Sequence, residues 1–164
     1  MISRLSIAVG LAWLTYSSMM PARAANELVL LPDAGGVNRT TLITSGSGNL
    51  VLASQEDTMG ADTLAVVIAG NRNGGGSGLI FTGPLAAAGL VGGAAIQGGS
   101  NNSLLVEING DANLFSFQQA GLANRLTASI AGNNNQVAVT QTGVGNSVTL
   151  SQTGANNVVD IEQR

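Results

Sequence analysis

The stretch from Asn135 to Asn157, NQVAVTQTGVGNSVTLSQTGANN, repeats a polar amide at fixed spacing inside two runs that otherwise look like β-strands. Asn returns eleven residues later at Asn146, Gln141 lies six residues after the first Asn, and Gly143 follows that Gln by two. A fixed period of this kind indicates a repeat architecture, which has to be recognised before individual elements are assigned.

Six such units follow one another without insertion from Asn102 to Arg164. Position 1 of every unit is an asparagine: Asn102, Asn113, Asn124, Asn135, Asn146 and Asn157. Position 9 of every complete unit is a glycine: Gly110, Gly121, Gly132, Gly143 and Gly154. We expect these glycines to lie in turns, because a tight chain reversal usually requires a positive φ.

Within each unit, apolar residues hold positions 3 and 5, as in Phe115 with Phe117 and Val137 with Val139. The residues between them are mostly small or polar. A period of two that ends at a glycine predicts a strand followed by a turn. The apolar spacing and a glycine every eleven residues argue against a helix.

The sequence therefore predicts an all-β fold, a β-solenoid of 11-residue strand–turn units with two units in each 22-residue rung. A single unit cannot bury its apolar face alone, so rungs must stack. Cross-β-like stacking in parallel, about 4.8 Å apart, would place positions 3 and 5 in a thin core between two sheets.

Positions 1 and 7 share the inward face with positions 3 and 5. A buried amide is costly unless it is hydrogen-bonded, and stacking each amide on its copy one rung away would form a ladder that fixes the register. The predicted ladder contains the six position-1 asparagines together with Gln119, Gln141, Gln152 and Gln163. Because alternate units share a sheet, two position-7 columns are expected: Gln119, Gln141 and Gln163 in one, and Ile108, Ile130 and Gln152 in the other.

The whole chain divides into four predicted segments. Residues 1–24 are predicted to be a secretory signal peptide, with a basic start, a short apolar core and small residues before the cut. Residues 25–72 carry degenerate repeats, with Glu27, Asn38, Asn49 and Asp62 at position 1. With Glu27 at position 1, Val29 and Leu31 of the first repeat would point inward. Residues 102–164 carry the regular repeats.

Between them, residues 73–101 are Gly-rich and uncharged, and the period fails there. A Gly-rich loop and a degenerate pair of rungs remain open for this segment. A stable membrane span from Leu79 to Ile96 is disfavoured by Pro84 and the repeated glycines.

Composition excludes several classes of function. The chain has no His, Cys or Lys, and without the first 24 residues it has four Arg against nine acidic residues, a net charge of about −5. The absence of a basic patch argues against nucleic-acid binding. Without His or Cys the commonest catalytic groups and soft-metal ligands are missing, so we expect no enzyme activity, no cofactor and no metal site.

The spacing N-x5-Q-x-G-x-x-N-x5-Q, from Asn135 to Gln152, resembles the curlin repeat of bacterial curli fibres. The resemblance implies a subunit that passes the periplasm and the curli secretion machinery and reaches the cell surface. There it would self-associate with other curlin subunits into functional amyloid that supports adhesion and biofilm formation. Whether it resembles a major or a minor, nucleating subunit stays open, although the terminal Gln-Arg favours the minor one.

Two functions therefore remain. The first is a structural fibre subunit, and the second is a secreted or surface β-solenoid adhesin that stays monomeric. The unit from Asn157 to Arg164 is expected to leave an open strand edge, which favours the fibre. Its charges, on Asp160, Glu162 and Arg164, would slow templating.

Overall fold

The computed structural model describes residues 2–9, 12–19, 25–31, 37–56 and 60–164. Within these residues the chain winds into a β-solenoid of about 6 turns, because successive strands alternate between two stacked sheets. The predicted fold class is confirmed.

The two sheets are called A and B, and each is given in its spatial order. Sheet A contains β1 (Ile2–Val9), β2 (Ala12–Met19), β4 (Arg39–Ser45), β6 (Thr63–Ala69), β8 (Ser103–Asn109), β10 (Arg125–Ala131) and β12 (Ser147–Thr153). Sheet B contains β13 (Val158–Gln163), β11 (Gln136–Val144), β9 (Leu114–Leu122), β7 (Ala94–Ser100), β5 (Leu50–Glu56) and β3 (Glu27–Leu30).

Neighbouring strands pair in parallel, apart from the antiparallel pair β1–β2. In the regular part, Arg125 of β10 lies between Ser103 and Ser147, so the register advances by two 11-residue units per rung. The apolar residues of positions 3 and 5 form one continuous core between the sheets. Phe115 and Phe117 are fully buried there, with stacked rings whose centroids are 5.7 Å apart.

The register expected for the first repeat was wrong by one residue. Glu27 lies beside Leu50, which is position 2, so Leu28 and Leu30 pack against the core instead of Val29 and Leu31. The physical reason is Asn26, whose Oδ1 accepts hydrogen bonds from the backbone N–H of Asn49 (3.0 Å) and from its Nδ2 (3.1 Å). Nδ2 of Asn26 also donates to Oγ1 of Thr44 and to the Gly46 carbonyl, both at 3.2 Å, and a glutamate carboxylate has no proton for these acceptors.

The Gly-rich segment contains one complete repeat unit that is interrupted by an excursion. Asn73 takes position 1, and the N–H of Gly74 bonds to the Asn113 carbonyl (2.8 Å). The chain then leaves the sheet and returns at Gly93, whose N–H bonds to the Phe115 carbonyl (2.8 Å), before it continues as β7. The segment is thus neither a plain loop nor a pair of rungs.

Two short helices lie at the start of the excursion and within it, a 3₁₀ helix (Asn73–Gly78) and α1 (Pro84–Ala87). Within the described part of the chain, no helix has the length and hydrophobicity needed to cross a bilayer. At the other end, β2 pairs with β4, which places Trp13 beside Arg39. The interpretation of residues 1–24 as a cleaved signal peptide stays a prediction.

Candidate functional site

The position-1 side chains form two columns that run along the solenoid, one at the strand starts of each sheet. The sheet A column contains Asn38, Asp62, Asn102, Asn124 and Asn146. The sheet B column contains Asn26, Asn49, Asn73, Asn113, Asn135 and Asn157.

Each amide in the interior of the sheet B column makes the same set of hydrogen bonds. The Oδ1 of Asn113 accepts from the backbone N–H of Asn135 (3.1 Å) and from its Nδ2 (3.0 Å). The second proton of the Asn135 amide goes to the carbonyl of Gly154 (2.9 Å). Asn135 is fully buried, and these bonds satisfy its donors. The column therefore ties each strand start to a turn glycine of the neighbouring rung.

The position-7 glutamines of sheet B form a second ladder, which contains Gln55, Gln97, Gln119, Gln141 and Gln163. Each Nε2 donates to the Oε1 of the next rung, over distances of 3.0, 2.9, 2.8 and 3.1 Å along the column. The donors point the opposite way from those of the asparagine columns, since here the earlier rung donates.

Sequence analysis placed Gln119, Gln141 and Gln163 in this column and missed two members. Gln55 lies six residues after Asn49, and Gln97 keeps the spacing Gln-x-Gly, so both signals were present in the sequence. The excursion concealed Gln97, because it separates this residue from its position-1 asparagine, and without Gln97 nothing links Gln55 to Gln119 in the column.

Position 7 of sheet A is Thr44 in β4 and isoleucine in the next three strands. Ile68, Ile108 and Ile130 lie in register with one another, and Gln152 of the edge strand β12 follows them. Gln152 is only 6% exposed, and neither its Nε2 nor its Oε1 has a hydrogen-bond partner among the described residues. A buried amide without partners costs about 1–3 kcal/mol. A further strand with a polar group at position 7, stacked on β12, would remove that cost.

The turn glycines Gly110, Gly121, Gly132, Gly143 and Gly154 all have φ between 111° and 128°. Close approach is a second reason for glycine in the interior turns. A Cβ on Gly132 would lie 1.8 Å from the carbonyl oxygen of Gly154 one rung away. At Gly154 itself, the nearest atom to such a Cβ is Nδ2 of Asn157, at 3.4 Å, so this end of the glycine column is open.

A third column, which sequence analysis missed, runs along the turns that lead from sheet A to sheet B. The backbone N–H of Asn71 donates to Oδ1 of Asp111 (2.7 Å), and the N–H of Asp111 donates to Oδ1 of Asn133 (2.8 Å). These exposed side chains occupy position 10, and the variety of residue types there hides the pattern. No group of three or more His, Cys, Asp or Glu in the described ranges is placed to hold a metal ion.

Residues 132–164 match the family model of the curlin associated repeat. This curlin repeat covers β11, β12 and β13, which are the strands with the most regular columns and the two open edges. Neither a curated protein nor a solved structure matches the chain. The curlin repeat and the β-solenoid fold point to a structural protein of the curli type, rather than to an enzyme.

Proposed function

We propose that the chain is a structural subunit of an extracellular functional-amyloid fibre of the curli type, which supports surface adhesion and biofilm formation. The observation that carries the proposal is Gln152, a buried amide without a partner at the edge of a parallel stack. The cost of that amide falls when another strand stacks on β12, so the edge favours addition.

The other inward polar groups at this edge are complementary to an incoming strand of the same pattern. Oδ1 of Asn146 and Oδ1 of Asn157 accept no hydrogen bond from the described residues, whereas the interior Asn113 accepts two. Gln163 accepts from Gln141 and has its own Nε2 available for a further rung. A strand with Asn at position 1 and Gln at position 7 would satisfy these groups, and this chain carries several such strands.

The first experiment is assembly of the purified mature chain. At concentrations on the order of tens of micromolar, we expect fibrils with a cross-β reflection at about 4.7–4.8 Å. A chain that remains a folded, soluble monomer for days under these conditions would overturn the fibre proposal.

We further propose that the chain acts as the minor, nucleating subunit and reaches the surface through the periplasm with the help of the curli secretion machinery. The predicted signal peptide and the curlin repeat support the route, and the Gln-Arg terminus supports the role. Sub-stoichiometric amounts added to a major curlin partner should abolish the lag phase. An unchanged lag, with slow self-assembly, would assign a bulk role instead.

The alternative is a monomeric secreted or surface β-solenoid adhesin, and the charges on β13 favour it. Asp160, Glu162 and Arg164 are exposed, with an ion pair of 2.5 Å between Glu162 and Arg164. Natural edge strands use such charges to prevent pairing. The double variant Asp160→Asn with Glu162→Gln should elongate faster if the chain is a fibre subunit. If it remains monomeric, the adhesin is favoured.

A further inference from the structure

The excursion at residues 75–92 is inserted into a repeat unit that remains intact without it. Gly74 and Gly93 lie next to each other at its neck, since a Cβ on Gly74 would be 3.0 Å from Cα of Gly93. Both positions require glycine, because a Cβ on Gly74 would also lie 2.0 Å from the Leu50 carbonyl oxygen, and a Cβ on Gly93 would lie 2.6 Å from the same oxygen. Asn73 and Gly74, followed directly by residues 93–101, form a complete 11-residue unit with Gln97 at position 7.

The excursion packs against the outer face of sheet B rather than extending into solvent. Phe81 and Leu85 form a small apolar cluster with Leu114 of β9 and Ala138 of β11, and all four side chains are buried. Gln136 of β11 is held by Thr82: its Oε1 accepts from the Thr82 N–H (2.7 Å), and its Nε2 donates to Oγ1 (2.5 Å). This second cluster lies outside the solenoid, on the opposite side of the sheet from the main core.

The face under the excursion contains a row of small outward residues in register, next to Leu114 and Gln136. Ala94, Ser116 and Ala138 hold position 4 of three neighbouring strands, and each is at most 2% exposed. The Oγ of Ser116 has no hydrogen-bond partner in the described part of the chain. A flat row of small side chains at the spacing of stacked strands is the surface on which two sheets form a dry interface.

The charges are distributed differently on the two outer faces. On sheet A, Arg39, Glu107 and Arg125 point outward from interior strands. On sheet B, positions 2, 4 and 6 of β5, β7, β9 and β11 carry no charged residue. At position 8, β5 carries the exposed Glu56, whereas β7, β9 and β11 carry no charge there either. Two copies that paired through β7, β9 and β11 would therefore bury no charge, so the matching surface for this face is the same face of a second copy.

We propose that residues 75–92 are a docked strap, which covers the outer face of sheet B and keeps it from pairing laterally with the same face of a second copy of this chain. The strap leaves the strand edges at β12 and β13 free, so growth along the solenoid axis continues while lateral association is blocked. This proposal adds a control of lateral packing to the proposed fibre function, but its first readout does not require fibres.

The test removes the strap from the mature chain and measures the mass in solution before any fibres form. A chain in which residues 75–92 are deleted and Gly74 is joined to Gly93 should elute as a dimer, with twice the mass of the deletion chain itself, whereas the full chain should elute as a monomer. Leu85→Asp, which puts a charge in the buried cluster, should give the same dimer. Ile80→Asp is the matched control, because Ile80 is 76% exposed and packs on nothing in the cluster, and it should stay monomeric.

A rescue variant identifies the surface that pairs. Ala138→Lys, combined with the deletion, places a charge on the uncovered face and should restore the monomer. If fibres form, those of the deletion chain should be wider by about 20 Å, the thickness of a second pair of sheets, and the rescue variant should return them to the original width.

Several results would overturn the proposal that the strap shields this face. A folded deletion chain that stays monomeric, or a dimer that Ala138→Lys leaves intact, would show that the strap does not shield this face. If the deletion chain loses its β-sheet circular dichroism, the Leu85→Asp variant of the full chain takes its place in the test. If thermolysin cleaves the strap of that variant, which shows that the strap has detached, and the variant is still a monomer, the proposal is also overturned. Absence of fibres in every variant would count against the proposed function alone, because the soluble dimer is measured independently.

Discussion

Gln141 offers the sharpest test of the amide ladder, since it is fully buried in the middle of the glutamine column. Its Oε1 accepts from Gln119 (2.8 Å), and its Nε2 donates to Gln163 and to the carbonyl of Arg125, both at 3.1 Å. Gln141→Leu keeps the approximate volume of the side chain and removes all three hydrogen bonds.

The expected cost follows from these three bonds. At a net value of about 1 kcal/mol each, their loss destabilises the fold by about 3 kcal/mol. Burial of the more apolar leucine side chain offsets about 1 kcal/mol of this destabilisation. The free energy of unfolding should therefore fall by about 2 kcal/mol, which is a change of about 30-fold in the folding constant.

The assay is urea denaturation followed by far-ultraviolet circular dichroism, on freshly prepared soluble chain. Gln118→Leu is the matched control, because it is the same substitution at a residue on the outward face of β9. The control should change the free energy of unfolding by less than about 0.5 kcal/mol. If the two variants are equally stable, the buried glutamine column does not hold the stack together and the reasoning fails.

Three further changes test other parts of the solenoid. Gly132→Ala should lower the free energy of unfolding by more than about 3 kcal/mol, because its Cβ would meet a carbonyl oxygen, whereas Gly98→Ala, with nothing within 4 Å, should be nearly neutral in the same urea assay. Asp62→Asn should raise the melting temperature, by an amount that corresponds to about 1 kcal/mol, because Asp62 is a fully buried carboxylate in a column of amides; a lower melting temperature would contradict this. Gln152→Ile should stabilise the monomer by about 1–2 kcal/mol and slow its addition to fibre ends, since it continues the isoleucine column; faster elongation in a seeded assay would refute the templating role of this amide.

Sequence reasoning was most successful where the period was unbroken. From Asn102 onward, the pairing of Gln119 with Gln141 and the isoleucine column that ends at Gln152 both follow from two facts, an 11-residue unit and two units per rung. Strand geometry turns the inward positions into a core without further information, because side chains alternate strictly along a strand. These predictions require no knowledge of contacts between residues that are far apart in sequence.

The same reasoning failed where local pattern does not decide between neighbours. Asn26 and Glu27 are adjacent, and only the bonds that Asn26 makes to Thr44, Gly46 and Asn49 select the asparagine for position 1. The excursion was missed for a related reason: Gly74 and Gly93 are adjacent in space but far apart in sequence, so the period appears to stop. Positive φ at position 11, as at Asn134, was also missed, because alanine and asparagine there give no uniform signal.

The parallel register and the two ladders give the stack a direction, which bears on how copies can meet. In the asparagine columns the later rung donates, whereas in the glutamine column the earlier rung donates. The edge at β12 and β13 therefore offers acceptors at Asn146 and Asn157 and a donor at Gln163. A two-fold rotation that places two such edges face to face makes the facing strands antiparallel, so each position 1 would meet a position 7 and the parallel register of the columns would stop there.

Stacking of this edge on the opposite end of another mature copy instead continues the parallel strands and places Asn26 and Asn38 over Asn157 and Asn146 in the order found inside the columns, so we expect a fibre built from this chain to be polar. Seeds extended with fluorescently labelled chain should therefore grow at clearly different rates at their two ends, as seen by single-fibre fluorescence microscopy. Gln152→Ile chain, which alters the β12 edge alone, should slow the end that displays this edge when it forms the seeds, and should leave the other end unchanged. Equal growth at both ends of unmodified seeds would refute the directional reading of the ladders.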